Sequence, residues 1–600
     1  MSLHFLPWFQ YLRSTNVTMS LAVWPLQASV RQTSLSDCAS LTCRPISQRL
    51  VGVYSVARGE RWHGAGPPLV VRTTSRLNRL HISMLDPRKS RCTDSPLRVL
   101  LISHNTARVF EDLPTRLPLF LDRLNALVQR HGNPDVVALH MQEVAGSKFK
   151  SGGGLEVVTE FAAGVHAHFP QYWTSGLLCE VTKGAVGFSA LGSIYLVHGN
   201  VAHRVEVWQN LGDDPNGASA CYRAVGELPS PLVPSPRADP RYCLHAQLPA
   251  ALFEDGKLSR KGMMLTTWRL DGVSIDLLNV HNVHDESNLV ALQSTLDGAP
   301  SAYATRRGLC LAHMLTEREH HLAQRRESFS GADTVAPCAL FVFGDFNFRL
   351  SLSGVVESLC GRAGLERARE WVSTQDMGAA SESATRVIDE RTKAKASGAV
   401  EARSELELAL PAAAAAHAAA AHAAAAHEAA AHEAAAHEAA GSPAIALRLS
   451  KKLFRLGQPG VLIEERERFL AFDAELDAFA AAAPNGMRLT ELPIDFPPTY
   501  TYDDAPEADG AGGSSSGAAS GKASLPVVAH SGGLALAMAS SLSPKRCPAW
   551  CDRVLMDPHA RAIVERSPSA ATYGSELQPP PDIITDHNAV YLAFDLSRSS

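Results

Sequence analysis

The stretch Gly344-Asp-Phe-Asn-Phe-Arg349 gathers more reactive chemistry than any other in this 600-residue chain. It follows the apolar run Ala339–Phe343, which reads as a strand buried on both faces. Asp345, Asn347 and Arg349 fall at alternate positions, so an extended chain would turn all three to one side. Phe346, Phe348 and Leu350 would then enter a core. A carboxylate, an amide and a guanidinium are thereby delivered together at a strand end, where α/β proteins tend to collect their working groups.

The same template recurs. The run Arg98–Asn105 ends in Asn105, and Asp135–Glu143 ends in Gln142 and Glu143. Val273–His281 carries Asn279 and His281 on one side, and Ile583–Phe594 opens with Asp586 and His587. One such residue at a strand end is ordinarily a turn former or a satisfied hydrogen-bond partner. Five on one template predict a single acidic, imidazole-bearing pocket. Its chemistry follows from its groups. Glu143 and Asn105 offer hard oxygens that suit Mg²⁺. Asp345 suits a base for an attacking water, His281 and His587 suit phosphoryl oxygens, and Asn347 suits orientation of the nucleophile or phosphate. Together they predict metal-assisted phosphoester hydrolysis by in-line attack of water.

A competing pattern is Cys547-Pro-Ala-Trp-Cys-Asp-Arg553, which fits Cys-x5-Arg. A thiolate phosphate loop needs small residues whose N–H groups wrap an anion. Pro548 removes one donor and Trp550 is bulky, so the cysteine mechanism is set aside. Trp550 and Cys551 are expected in the core, with Arg553 reaching substrate.

The elements that must hold these groups alternate between strand and helix. Residues 116–130 have helical spacing, with Leu117, Phe120, Leu121, Leu124 and Val128 on one face. Residues 186–197 and 263–270 read as strands, and 301–327 and 445–480 as helical. The last carries Arg448, Lys451, Lys452 and Arg455 on a solvated face. The pattern predicts an α/β sandwich. A catalytic domain is expected over 96–597, with low-complexity inserts at 376–443 and 503–543. In the first, His417, His422, His427, His432 and His437 step by five and so do not share a helical face. Residues 1–95 carry twelve Lys/Arg against four acids and read as a disordered tail, a start assigned too early (with Met84 the true one) or a transit peptide, in that order.

Composition narrows the classes. A net charge of -5 over this length gives no support for binding nucleic acid in bulk. Eleven cysteines without a Cys-x-x-Cys pair fit a reducing compartment, not a disulfide framework. No apolar run is long enough for a transmembrane helix.

Gly344-Asp-Phe-Asn-Phe-Arg349 and Pro548-Ala-Trp-Cys-Asp-Arg553 resemble the two signature motifs of the inositol polyphosphate 5-phosphatases, in the family's order. Ala138–Glu143, Ala190–Ser193, Ser259–Gly262, Asn279–Val290 and Phe496–Tyr500 resemble its type I branch. The resemblance implies a deoxyribonuclease-I-like fold, a two-sheet sandwich flanked by helices, and dependence on Mg²⁺. It implies Asn105 and Glu143 on the metal side, Asp345 as base beside Asn347, and His281, Asp586 and His587 around the scissile phosphate. Arg260, Lys261, Arg349 and Arg553 become phosphate contacts. The implied substrate is soluble inositol 1,4,5-trisphosphate, then the 1,3,4,5-tetrakisphosphate. A phosphoinositide head group and a nuclease substrate are the alternatives, with no nucleic-acid partner expected. Asn588 and Ala589 stand where the family has a basic residue and proline, which bears on affinity. The chain ends Leu596-Ser-Arg-Ser-Ser600 without a prenylation box, so a cytoplasmic or loosely membrane-associated monomer is expected.

Overall fold

The computed structural model describes residues 95–598, apart from 182–187, 211–219, 229–240, 254–259, 329–337, 376–405, 410–444, 459, 484–485, 504–540 and 579–582. All of these residues belong to one compact unit, Leu85–Ser600. The leader up to residue 94, the Ala/His run 411–440 and most of 503–543 lie outside the described residues.

Two seven-stranded mixed sheets form the centre. The first contains β1 (Leu97–Asn105), β2 (Val136–Gln142), β3 (Tyr172–Thr174), β4 (Leu178–Cys179), β5 (Gly192–His198), β16 (Thr572–Glu576) and β17 (Ala589–Leu596), in the order β16-β17-β1-β2-β5-β3, with β4 also on β5. The second contains β6 (Val205–Asn210), β7 (Ala220–Ala224), β8 (Leu244–Gln247), β9 (Gly262–Leu270), β10 (Val273–His281), β11 (Ala339–Asp345) and β15 (Asp552–Met556), in the order β15-β11-β10-β9-β6-β7, with β8 also on β9. In each sheet one central pair is parallel, β1 with β2 and β10 with β11; the other pairings are antiparallel.

The alternation of side chains assigns the layers. Leu97, Val99 and Leu101 of β1 meet Ile275 and Leu277 of β10, Phe341 and Phe343 of β11 and Val554 of β15 between the sheets. Leu100 and Ile102 face outward, under α2 (Leu113–Arg130) and α3 (Gly154–His168), which follow the short α1 (Ala107–Glu111). Leu278, Val280, Leu340 and Val342 face the other way, under α5 (Ala302–Ser328), which follows α4 (Asn288–Thr295). This is the helix-flanked two-sheet sandwich that the strand pattern and the resemblance implied.

The segment 445–480 departs from its helical reading. Ile445–Ser450 (β13) and Leu453–Leu456 (β14) form a hairpin that joins Leu406–Ala409 (β12) in a third, three-stranded sheet beside α6 (Leu352–Ser373). Only from Val461 does the chain become helical, in the short pieces Val461–Glu464, Arg466–Leu470 and Glu475–Ala482. Leu447 and Leu449 are buried at period two and Phe454 pairs with Leu449 across the turn, a strand signal masked by the helical spacing further on. β12 lies within 376–443, so that region also contributes a strand to the fold.

Candidate active site

Strand parity aims the groups. In β11 the odd positions face the gap between the sheets, so Asp345 at the strand's end continues the row of Phe341 and Phe343. In β10 the row Ile275, Leu277, Asn279 ends in His281, which is in register with Asp345 on the parallel neighbour. In β1 the row of Leu97, Val99 and Leu101 ends in Asn105. In β15 Asp552 pairs with Asp345 from the other side. The sheets therefore converge on one carboxylate.

Asp345 is 1% exposed. Its Oδ1 accepts the backbone N–H of Asn347 at 2.9 Å, and its Oδ2 accepts Nδ2 of Asn105 at 3.2 Å. The same Oδ2 lies 3.4 Å from Nε2 of His281 and 4.0 Å from Nε2 of His587. Burial alone would raise Asp345. The hydrogen bond from His281 and the charges of His587, His281 and Lys261 outweigh it and hold the carboxyl well below its ordinary value.

His587 sits just ahead of β17. Its Nδ1 is 2.8 Å from Oδ2 of Asp552, which also accepts the Thr499 hydroxyl at 2.8 Å. Burial lowers the imidazole's affinity for a proton, but Asp552 first and Asp345 next raise it, to about 9. His281 is lowered instead, by burial and by Lys261, whose Nζ contacts its Nε2. Two histidines on either side of one carboxylate thus differ in proton affinity: both are buried, but one has Asp552 behind it and the other Lys261. Asp345, Asp552 and His587 also offer three ligand atoms within 4.8 Å of one another.

Glu143 reaches this cleft by a different route. In β2 the even positions Val136, Ala138, His140 and Gln142 face inward, so continued strand would turn Glu143 outward. Its φ of 56° breaks the strand in the left-handed region, a costly conformation for a residue with a side chain. Oε1 then comes within 3.8 Å of Nε2 of His281, and Oε2 accepts from Nη2 of Arg260 at 3.1 Å. Burial raises Glu143, but His281, Lys261 and Arg260 outweigh it and lower it to about 2. Glu143 and Asp345 thus hold ionised oxygens around one imidazole nitrogen, while Asn105 turns its Nδ2 to Asp345 and its Oδ1 accepts from the Ala107 N–H at 3.3 Å. That donor set fits a hard divalent cation.

Beyond Asp345 the chain is not a strand. Asn347 has φ 55°, yet Phe346 and Phe348 are buried as the alternation required. Asn347 donates from Nδ2 to the Asn282 carbonyl at 3.1 Å and accepts from Nη2 of Arg349 at 2.8 Å. Both ends of this amide are engaged, so it positions Arg349. Arg349 is 9% exposed, lies 4.4 Å from the Tyr500 ring centre, and has Nε and Nη1 buried without a hydrogen-bond partner among the described residues. Tyr500 in turn packs on His587, their ring centres 4.6 Å apart.

Two expected residues stand elsewhere. Arg553 does not enter the cleft. It is the parity opposite of Asp552, so it turns to the outer face of β15. There it donates to Glu491 at 2.6 Å, to Asp473 and to the Trp550 carbonyl at 2.6 Å. Asp586 is at the rim, its side chain 29% exposed and 3.9 Å from Nε of Arg108, and acts on His587 through its charge. Arg260 and Lys261 are at the cleft, but on Glu143 and His281. Trp550 and Cys551 are in the core as expected. Burial pushes the Cys547 thiol up to about 12, which leaves no thiolate for a cysteine mechanism. Asp552 and Thr499 were not among the expected site residues. The signal for Asp552 was its place beside Arg553 in a strand, since only one of two adjacent residues can face the cleft.

No family model matches the chain. Curated proteins similar to it include inositol polyphosphate-5-phosphatase A of Canis lupus familiaris, 27% identical over 506 residues, 83% of this chain and 93% of that protein. Another is a probable type I inositol 1,4,5-trisphosphate 5-phosphatase of Caenorhabditis elegans, 23% identical over 510 residues, 83% of this chain and 100% of that protein. Among solved structures, the inositol polyphosphate 5-phosphatase domain of SPsynaptojanin with inositol (1,4)-bisphosphate and calcium ion aligns at a TM-score of 0.30 and 11% identity, over 83% of this chain and 84% of that one. By sequence, the chain is similar to inositol polyphosphate 5-phosphatases, a probable type I protein among them.

Proposed function

We propose that this protein is a phosphoric monoester hydrolase that removes the 5-phosphate of soluble inositol polyphosphates. Inositol 1,4,5-trisphosphate is the first substrate and the 1,3,4,5-tetrakisphosphate the second, and the reaction ends calcium-release signalling. The observation that carries this reading is the convergence of Asn105, His281 and His587 on Oδ2 of Asp345. A water bound at that oxygen is oriented by an ionised acceptor that other groups hold rigid. Asp345 acts chiefly by aiming the water, because a carboxylate with so low a proton affinity is a weak proton store. His587, charged up to about pH 9, donates to a phosphoryl oxygen. Arg349 supplies two free buried N–H groups to a second oxygen or a neighbouring phosphate. Mg²⁺ would be held by Glu143 and Asn105, and when bound it would neutralise charge on the phosphoryl group. Lys261 adds a cation at the same wall.

The full chain, purified and supplied with Mg²⁺, is expected to release phosphate from inositol 1,4,5-trisphosphate and to leave single-stranded and duplex DNA intact. Asp345→Ala should lower kcat by about 10³-fold or more. DNA cleavage, or phosphate release that persists in Asp345→Ala, would contradict the reading. No helix among the described residues is long and apolar enough to cross a membrane. A cytoplasmic monomer that meets its substrate in solution is the arrangement we favour, and presenting phosphoinositide in vesicles beside the soluble substrate tests the lipid alternative.

A further inference from the structure

We propose that Arg260 is the fixed counter-ion of Glu143 and competes with the divalent cation for that carboxylate, instead of contacting a substrate phosphate. The inference rests on the metal-dependent reading above and assigns a specific residue to its regulation.

The guanidinium is held on three sides. Nη2 donates to Oε2 of Glu143 at 3.1 Å, Nη1 donates to the Gly146 carbonyl at 3.2 Å, and the group lies 4.8 Å from the centre of the Phe149 ring. Phe149 is itself buried against Phe188. The segment it grips has a conformation set for this purpose. Glu143, Ala145 and Gly146 have φ of 56°, 67° and 49°. A side chain at Gly146 would meet the Ala107 carbonyl and Glu111 at 2.8 Å. Glu111 fastens the far end through the Ser147 N–H and hydroxyl, at 2.7 and 2.6 Å. A left-handed turn of this kind needs anchors; Glu111 is an anionic one, and Arg260 is the cationic one that sits on Glu143.

The two oxygens of Glu143 therefore differ. Oε2 has a cation on it, while Oε1 faces His281 and the cleft. Two of the five N–H groups of Arg260 are committed to Glu143 and Gly146, and the ion pair with Glu143 opposes a phosphate that approaches the rest. A divalent cation at Oε1 would instead feel the guanidinium across one carboxylate. The fixed positive charge opposes a dication held on the same carboxylate, and water around the partly exposed guanidinium screens part of that repulsion. Arg260 thus keeps Glu143 aimed when no metal is present, and weakens the metal's hold when it arrives.

The test is titration of Mg²⁺ into the full chain by isothermal titration calorimetry, without substrate. Arg260→Gln is expected to bind Mg²⁺ about tenfold more tightly than the wild type, whereas Arg260→Lys, which keeps the charge, stays within about twofold. KM for the inositol substrate should move by less than about threefold in either variant, and circular dichroism reports whether each remains folded. Equal or weaker Mg²⁺ binding in folded Arg260→Gln overturns the proposal, as does a tenfold rise in KM with metal affinity unchanged, the mark of a phosphate contact. Wild-type protein that binds no Mg²⁺ would overturn the metal-dependent reading as well, so the two failures are separable.

Discussion

Replacing Asp552 by asparagine keeps the shape of the side chain and its contact with Thr499, and removes only the charge behind His587. The wild-type imidazole titrates at about 9, against 6.5 for a free histidine, although burial acts to lower it. That displacement corresponds to about 3 kcal/mol in favour of the charged form. Asp552 is the largest contributor, ahead of Asp345 and Asp586, and burial persists in the variant. The histidine should then titrate at about 7 or below, so that at pH 8 the protonated fraction drops from about nine-tenths to about one-tenth. The expected result is a roughly tenfold loss of kcat/KM at pH 8 that shrinks toward pH 6. Stability should move with the same sign. A histidine whose affinity for protons is raised by folding stabilises the fold below about pH 6.5 and loses that contribution as pH rises through about 9. Asp552→Asn should therefore lower Tm most at pH 6 and least at pH 9.5. The assay is phosphate release from inositol 1,4,5-trisphosphate between pH 5.5 and 9.5. The ratio of variant to wild type cancels ionisation of the substrate. A ratio that stays flat across that range would refute the assignment of His587 as the charged donor.

Three further outcomes discriminate the remaining roles. Arg349→Ala should raise KM by about 10- to 100-fold with kcat within a few-fold, since the two partnerless N–H groups make charge-assisted bonds only to substrate; steady-state kinetics decides it. Arg553→Met should cost about 3–5 kcal/mol in denaturant unfolding, because it leaves Asp473 and Glu491 buried around no cation, while kcat/KM of the folded fraction stays near wild type. Removal of divalent ions by a chelator should abolish phosphate release, and excess Mg²⁺ should restore it, with the circular dichroism spectrum unchanged throughout.

Much of the site was legible because strand geometry is nearly local. An apolar run with polar residues at its end announces both a buried strand and the group it delivers, and Asn105, His281 and Asp345 meet on that basis alone. Where reading failed, the missing information was parity or a backbone break. Arg553 and Asp552 stand side by side, and sequence offers a guanidinium and a carboxylate with equal force. Only the register of β15 on β11, with Asp552 opposite Asp345, decides that the carboxylate enters the cleft and the guanidinium the outer layer. Glu143 errs the other way. Strict alternation would exclude it, and the left-handed turn that admits it has no glycine at that position to signal it. The hairpin Ile445–Leu456 was hidden because a three-stranded sheet draws its third strand, Leu406–Ala409, from beyond an interruption of some thirty-five residues. Asn588, where the family has a basic residue, is fully buried with its N–H on the Thr499 carbonyl. Chemistry was thus readable wherever one strand carried it, and became ambiguous wherever two residues of one motif had to take opposite faces. The pairing of His587 with Asp552 and of His281 with Lys261 is the consequence for function, because it makes two similar imidazoles unlike in proton affinity on either side of the same carboxylate.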